Sequence, residues 1–170
     1  PDRVDPSTAS NNGSITLNAQ SDSAAIRTSL IGMGGYLDKD FLDGTKLIRR
    51  ASSLYLFNGV NGEIELNYTL TGSGTYAPDA NTLLKGNGGI IGMRADAKTS
   101  AINKGKISMN LSSGVDNAGA GMQAVHGGSI SNENEISVIG GKGNSGMLSV
   151  RGQGSNAEID SLLPTLTNTS

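Results

Sequence analysis

The chain of 170 residues has no cysteine, no tryptophan, one histidine and few charged or aromatic residues (16% and 4%). Without cysteine it can form no disulfide, no thiolate metal site and no cysteine nucleophile. The single histidine, His126, leaves little scope for acid–base or zinc chemistry. The formal net charge of -2 gives no general attraction to nucleic acid or to anionic lipid. These absences argue against most enzymes and against nucleic-acid binding proteins.

Long hydrophobic runs are missing as well. No apolar stretch approaches the length of about 18 residues that marks a membrane-spanning helix, so we expect no membrane insertion. The first residues lack the basic start and the apolar centre of a signal peptide. We therefore expect a soluble mature chain, or an excised piece of one, that forms a single domain over residues 1–170 with flexible ends at 1–10 and 161–170.

Glycine is abundant, with 25 residues, and it interrupts nearly every window in which a helix could form. Each glycine costs a helix interior about 1 kcal/mol relative to alanine. Only residues 42–57 favour a helix, and they are equally compatible with strands. Elsewhere apolar residues alternate with polar ones, as at Ile64 and Leu66, and this period of two is typical of strands with one buried face. The sequence therefore predicts an all-β fold.

A turn followed by a strand recurs along the chain with the approximate pattern Asn-x-Gly-x-Ile. Its five copies end at Ile15, Ile64, Ile107, Ile136 and Ile159. The residues two places before these isoleucines are Gly13, Gly62, Gly105, Asn134 and Ala157. Because glycine and asparagine reach positive φ at low cost, the pattern predicts a tight bend with left-handed backbone in each copy, with alanine the poorest fit.

A second unit is Gly-Met followed two places later by a small residue. It contains four of the five methionines, namely Met33, Met93, Met122 and Met147. We interpret it as a strand whose inward positions alternate between large and small side chains, so that stacked copies fill a narrow interior.

The two units alternate with a full period of about 23 to 29 residues, which fits one coil of a solenoid with two or three short strands. The leucine pattern of horseshoe repeats is absent, and a parallel β-helix remains. The interval from Ile15 to Ile64 is expected to hold about two coils, and residues 36–60 to be an insertion or irregular coil. Stacking of the coils predicts a solvated column of side chains on one face, made of Ser14, Glu63, Lys106, Glu135 and Glu158. Within this column Lys106 should attract Glu135 on the next coil.

These repeats, together with corners rich in Gly, Ser and Asn and the lack of cysteine, resemble the passenger domains of bacterial autotransporters (type V secretion), in particular those of adhesins and self-associating proteins. The resemblance covers residues 86–159 well and 11–66 loosely, and it does not extend to 36–60. It implies a right-handed parallel β-helix that is exported through an outer membrane by a C-terminal barrel and displayed on the bacterial cell surface. This chain would then be a fragment of the exported protein.

Other motifs suggest chemistry only weakly. His126 is expected at a coil corner in a structural or exposed position, and no Gly-x-Ser-x-Gly elbow accompanies it. The nucleotide fingerprint at 152–157 has Pro164 soon after it, where a helix would be needed. The acids of 38–44 and the glycines of 140–143 depart from calcium loops. We expect no catalytic, cofactor-binding or metal-ligating residue.

One further cluster combines basic and aromatic residues: Lys46, Arg49, Arg50, Tyr55 and Phe57. It could form a contact patch for an acidic glycan or protein, but we interpret it as an ordinary solvated group of charges.

The expected function is therefore non-enzymatic adhesion or self-association, with another copy or a host-surface protein or glycan as the partner, and with no cofactor. Two alternatives stay open. One is a β-helical carbohydrate-active enzyme, either a polysaccharide lyase or a glycosidase, in which Asp40 would be the acid to test. The other is a passive stalk that carries a different functional domain.

Overall fold

The computed structural model describes residues 7–22, 29–35, 42–43, 46–47, 53–75, 89–96, 99–150 and 163–169. Within these residues all regular secondary structure consists of β-strands, which confirms the all-β prediction. The described parts of 42–57 form strands rather than a helix. Two of them, β4 (Leu42–Asp43) and β5 (Lys46–Leu47), pair antiparallel with each other.

The remaining strands form three sheets in which every pairing is parallel. Sheet 1 contains, in spatial order, β1 (Ser7–Asn11), β6 (Leu54–Asn58), β9 (Thr99–Asn103), β12 (Ser129–Asn132) and β15 (Thr165–Asn168). Sheet 2 contains β2 (Ser14–Ser21), β7 (Glu63–Leu70), β10 (Lys106–Leu111) and β13 (Glu135–Ile139). Sheet 3 contains β3 (Ser29–Gly35), β8 (Gly89–Ala95), β11 (Gly119–Val125) and β14 (Ser145–Val150).

The chain passes through sheets 1, 2 and 3 in turn and then returns to sheet 1 one strand further along. This path defines a parallel β-helix, as the repeats predicted. Coil 1 consists of β1–β3, coil 2 of β6–β8, coil 3 of β9–β11 and coil 4 of β12–β14, and β15 begins a fifth. Each coil rests on the previous one through backbone hydrogen bonds between strands.

The register of the sheets confirms both predicted repeats. In sheet 2 the repeat isoleucines are direct neighbours from coil to coil: Ile15, Ile64, Ile107 and Ile136. In sheet 3 the methionines stack in the same way: Met33, Met93, Met122 and Met147. Both columns contribute to one continuous hydrophobic core inside the solenoid.

Three of the four glycines that precede the stacked methionines, Gly32, Gly92 and Gly121, are required by close packing between sheets, whereas a Cβ on Gly146 would meet Ile136 only at 3.9 Å. A Cβ on Gly92 would lie 2.6 Å from Cγ2 of Ile107 and 2.5 Å from the carbonyl oxygen of Gly121. A Cβ on Gly32 would meet Ile64 in the same way, at 2.5 Å. The isoleucine of each coil therefore occupies the space next to the glycine of the preceding coil, which links the two repeats physically.

The coil length is less regular than the sequence predicted. Ile15 and Ile64 pair directly, so the interval between them is one coil and not two. Equivalent asparagines of sheet 1 are separated by 47, 45, 29 and 36 residues in successive coils. Only the third of these separations falls within the predicted period, because the other coils carry longer connections.

Parts of three segments that the sequence singled out form regular strands. Within 36–60, β6 is a strand of sheet 1. Within 1–10 and 161–170 lie most of β1 and all of β15, which pair with β6 and with β12 respectively. The insertion and the flexible ends stay predictions. The last copy of the turn repeat, with Ala157, Glu158 and Ile159, lies outside the described residues.

The prediction of positive φ at the repeat turns is wrong. None of Gly13, Gly62, Gly105 and Asn134 has left-handed backbone. Gly62 and Gly105 are needed for space instead: a Cβ on Gly62 would lie 2.6 Å from the carbonyl oxygen of Asn11, and one on Gly105 would overlap backbone oxygens of the preceding coil.

Candidate functional site

A ladder of asparagine side chains fills the corner between sheets 1 and 2. Each Nδ2 donates a hydrogen bond to Oδ1 of the equivalent asparagine in the next coil, over 2.7 to 3.0 Å. The ladder consists of Asn11, Asn58, Asn103, Asn132 and Asn168. Asn58 and Asn103 are fully buried, so these bonds are shielded from water.

The same amides hold the turn that follows them. Nδ2 of Asn58 also donates to the carbonyl oxygens of Gly62 and Lys106, and Nδ2 of Asn103 donates to that of Glu135. The ladder is therefore a structural device. The repeat pattern located three of its members, Asn11, Asn103 and Asn132, but it pointed to Asn61 in coil 2, where the ladder residue is Asn58, and it did not include Asn168.

The outer surface of sheet 2, which we call the polar face, carries the predicted column of charges. Ser14, Glu63, Lys106 and Glu135 are neighbours on successive coils. Nζ of Lys106 lies 3.6 Å from Oε1 of Glu135, with both side chains about half exposed. The predicted column is thus confirmed for its first four members, and Glu158 lies outside the described residues.

Beside this column the polar face has two further rows. The second row contains Thr16, Glu65, Ser108 and Ser137. The third row begins with Asn18, Asn67 and Asn110, whose exposed amides are joined by hydrogen bonds of 2.8 Å, and it ends at Ile139. A shallow groove of about 340 Å³ runs across the face between the acids of coil 2 and Ile139 of coil 4.

A buried cluster of charges lies at the corner between sheets 3 and 1. The carboxylate of Asp96 has Oδ1 2.7 Å from Nδ1 of His126 and Oδ2 3.4 Å from Nη2 of Arg94. Arg94 and Asp96 are each only 4% exposed. His126 directly follows β11, at the coil corner where the sequence placed it, and its φ of 48° is unusual for a residue other than glycine. Sequence reasoning missed Arg94 and Asp96, because only the stacking of coils brings them to the histidine.

The outer surface of sheet 1, which we call the aromatic face, has a different chemistry. Tyr55 and Phe57 project from β6, and Nζ of Lys104 lies 6.0 Å from the centre of the Phe57 ring. The same lysine forms an ion pair with Glu133 at 3.2 Å. The rest of the face consists of Ile102 and the hydroxyl residues Thr8, Ser10, Ser100, Ser129, Ser131, Thr165 and Thr167.

Most of the other candidate motifs lie outside the part of the chain that the structure describes. The segment 152–157 and the side chains of 38–44, Lys46, Arg49 and Arg50 lie outside the described residues. Gly140, Gly141 and Gly143 have positive φ and form the turn between β13 and β14. In the part of the chain that the structure describes, no three His, Asp or Glu side chains come together as metal ligands.

The fold and its surfaces define a parallel β-helix with a charged polar face on one sheet and an uncharged aromatic face on the next. No known protein family, curated protein or solved structure matches the chain. Among the residues described here, none form a helix that is long and apolar enough to cross a membrane.

Proposed function

We propose that this chain is a non-enzymatic adhesion and self-association module, in which the polar face of one copy binds the polar face of another. The observation that supports this most directly is the order of charges along the first row, with Glu63 and Lys106 on adjacent coils. A surface that carries opposite charges on two neighbouring coils can be complementary to itself.

The matching operation is a two-fold axis that runs parallel to the strands and passes between coils 2 and 3. It turns the second solenoid antiparallel and places each Glu63 opposite Lys106 of the other copy. It also places Glu65 opposite Ser108, and Asn67 opposite Asn110. Glu135 faces Ser14, because coil 4 meets coil 1. No two like charges of the described rows meet across this interface.

The contact between two copies is expected to be weak. Four strands spaced about 4.8 Å apart, with about five residues each, cover on the order of 300 Å² per copy. Stable protein interfaces bury about 800 Å² per partner. Many copies on one surface would compensate, since weak contacts add when they form together. Display on a bacterial cell surface after export through the outer membrane is part of the proposal and rests on the autotransporter resemblance.

Charge reversal provides a direct test. Beads or cells that display Lys106→Glu alone should not clump, because Glu63 would face a glutamate. Those that display Glu63→Lys alone should not clump either, because Lys106 would face a lysine. A mixture of the two variants should clump again, since each lysine then faces a glutamate. Counting mixed and unmixed aggregates by microscopy measures this pattern.

Lys142→Glu is the matched control, because this exposed lysine lies in the turn after sheet 2 and outside the polar face. It should clump like the original chain, and all variants should retain their melting temperature within a few degrees. If the single variants aggregate normally, the polar face is not the contact surface. A stalk without adhesive function would show no clumping even with the original sequence.

A further inference from the structure

The aromatic face of sheet 1 is chemically unlike the polar face. The five strands of sheet 1 contain no charged residue at all. They present two aromatic rings and a set of hydroxyl groups to the outside. From these features we infer that the aromatic face binds a neutral glycan chain, independently of the self-association proposed for sheet 2.

The two rings provide the stacking surface. Tyr55 is 44% exposed and Phe57 is partly exposed, and both project from the same side of β6. Residues two apart on a strand are about 6.6 Å apart, so the rings lie side by side on a nearly flat sheet. Flat aromatic rings complement the C–H faces of pyranose rings, which are the apolar surfaces of a sugar.

Hydroxyl groups flank the rings along the solenoid. Thr8 and Ser10 lie next to the rings in coil 1, and Ser100 follows Tyr55 in coil 3. Oγ of Ser129 donates to Oγ of Ser100 at 2.8 Å, so the row continues into coil 4. Each hydroxyl both donates and accepts, which suits the hydroxyl edges of a sugar ring.

The charges near this face favour a neutral ligand. The nearest described cation, Lys104, is neutralised by the carboxylate of Glu133 at 3.2 Å. The strands themselves offer no lysine or arginine to a carboxylate or sulfate group. An acidic glycan would therefore gain nothing over a neutral one on these residues. The side chains for which the sequence raised an acidic partner, Lys46, Arg49 and Arg50, lie outside the described part of the structure.

The size of the face favours a sugar chain over a protein. Five strands span about 19 Å along the solenoid, and the two outward rows span about 7 Å across it. Even with side chains included, this surface is on the order of 300 Å² and carries no self-complementary charges. Stable protein interfaces bury about 800 Å² per partner, and unlike the polar face this face offers no opposite charges that would steer and orient a second copy. A short run of sugar rings fits the same strip.

The test is titration of the purified chain with neutral hexasaccharides of glucose, mannose and galactose, with hexagalacturonate as the acidic comparison. The chain has 4 tyrosines and no tryptophan, so its intrinsic fluorescence comes from tyrosine, and a change on binding that is lost in Tyr55→Thr reports contact with Tyr55; calorimetry gives the affinity. We expect at least one neutral hexasaccharide to bind, with hexagalacturonate no tighter. Tyr55→Ala and Phe57→Ala should each weaken binding about tenfold or more.

Thr16→Ala on the polar face is the matched control and should bind normally. Tyr55→Thr, which keeps a residue suited to strands, replaces the alanine variant if that variant melts early. The inference is overturned if no neutral sugar of the panel binds, if hexagalacturonate binds more tightly, or if both ring variants bind like the original chain. None of these outcomes affects the charge-reversal test, which uses a different face.

Discussion

At the level of single residues, the asparagine ladder concentrates several hydrogen bonds in one buried side chain per coil. Nδ2 of Asn103 donates to Asn132 and to the carbonyl of Glu135, and its Oδ1 accepts from Asn58. An unsatisfied buried polar group costs about 1–3 kcal/mol. The ladder therefore holds the corner between sheets 1 and 2 with hydrogen bonds that are shielded from water at Asn58 and Asn103.

Asn103→Ala should consequently lower the free energy of unfolding by about 2–4 kcal/mol, because it removes the hydrogen bonds that this buried side chain makes with Asn58, with Asn132 and with the carbonyl of Glu135. Asn67→Ala, in the exposed ladder of the polar face, is the control and should cost less than about 1 kcal/mol. Urea unfolding followed by circular dichroism measures both. Similar losses for the two variants would show that burial does not increase the contribution of the inner ladder to the free energy of unfolding.

Glycine substitutions should show which glycines are required by close packing and which positions tolerate a side chain. Gly92→Ala forces a methyl group against Ile107 and against the backbone of Gly121, and overpacking of this kind costs about 1–3 kcal/mol or more. Gly13→Ala places a methyl group where no atom lies within 4 Å and where the backbone is not left-handed. It should be neutral or slightly stabilising, because alanine restricts the unfolded chain. Thermal unfolding of the two variants is the measurement, and a destabilised Gly13→Ala would contradict the account.

At the level of elements, the sequence was most informative where one residue type recurs at equivalent positions. The isoleucine and methionine columns could be found because each strand must fill the same narrow interior. The corner of coil 2 misled the pattern, because it has two more residues between Asn58 and β7 than coil 1 has between Asn11 and β2. The pattern therefore selected Asn61. It counted one coil as two for a different reason, since 47 residues separate Asn11 from the equivalent Asn58.

Contacts between different corners could not be predicted in this way. Asp96 and His126 lie outside both repeats, Arg94 occupies a position that the second repeat leaves variable, and their chemistry depends on stacking of the end of coil 2 under the end of coil 3. The aromatic face is a similar case. Tyr55 and Phe57 were noticed in the sequence, but the hydroxyl rows beside them arise from strands far away along the chain.

The charge cluster should make the corner between sheets 3 and 1 sensitive to substitution. Asp96→Ala would leave Arg94 buried without the carboxylate it pairs with, and breaking a buried pair in this way costs about 3–5 kcal/mol. Glu133→Ala removes an exposed carboxylate from Lys104 and should cost less than about 1 kcal/mol. Denaturant titration compares the two. Equal, small losses would mean that the buried cluster contributes no more than a surface ion pair.

At the level of the whole molecule, the solenoid separates its faces, because each coil adds one strand to every sheet in turn. The charged rows lie on sheet 2 and the aromatic rings on sheet 1, so a second copy and a sugar chain would not compete for the same residues. Coils contact mainly their immediate neighbours, so stability is set by the number of filled interfaces between coils. In sheets 2 and 3 the strands of coils 2 and 3 have a strand on each side, whereas those of coils 1 and 4 are the edge strands among the described residues.

Hydrogen exchange should reveal this gradient. In sheet 2 the inward residues Ile64 and Ile107 are 1% and 0% exposed, while Ile15 and Ile136 are only partly buried. Amides of β7 and β10 should therefore exchange about tenfold more slowly, or slower still, than those of β2 and β13, since local opening at the ends exposes less apolar surface. Peptide-level mass spectrometry at pH 7 measures the rates. Uniform exchange across the four strands would mean that the coils open only as one cooperative unit, so that the nearest-neighbour description of this solenoid would have to be given up.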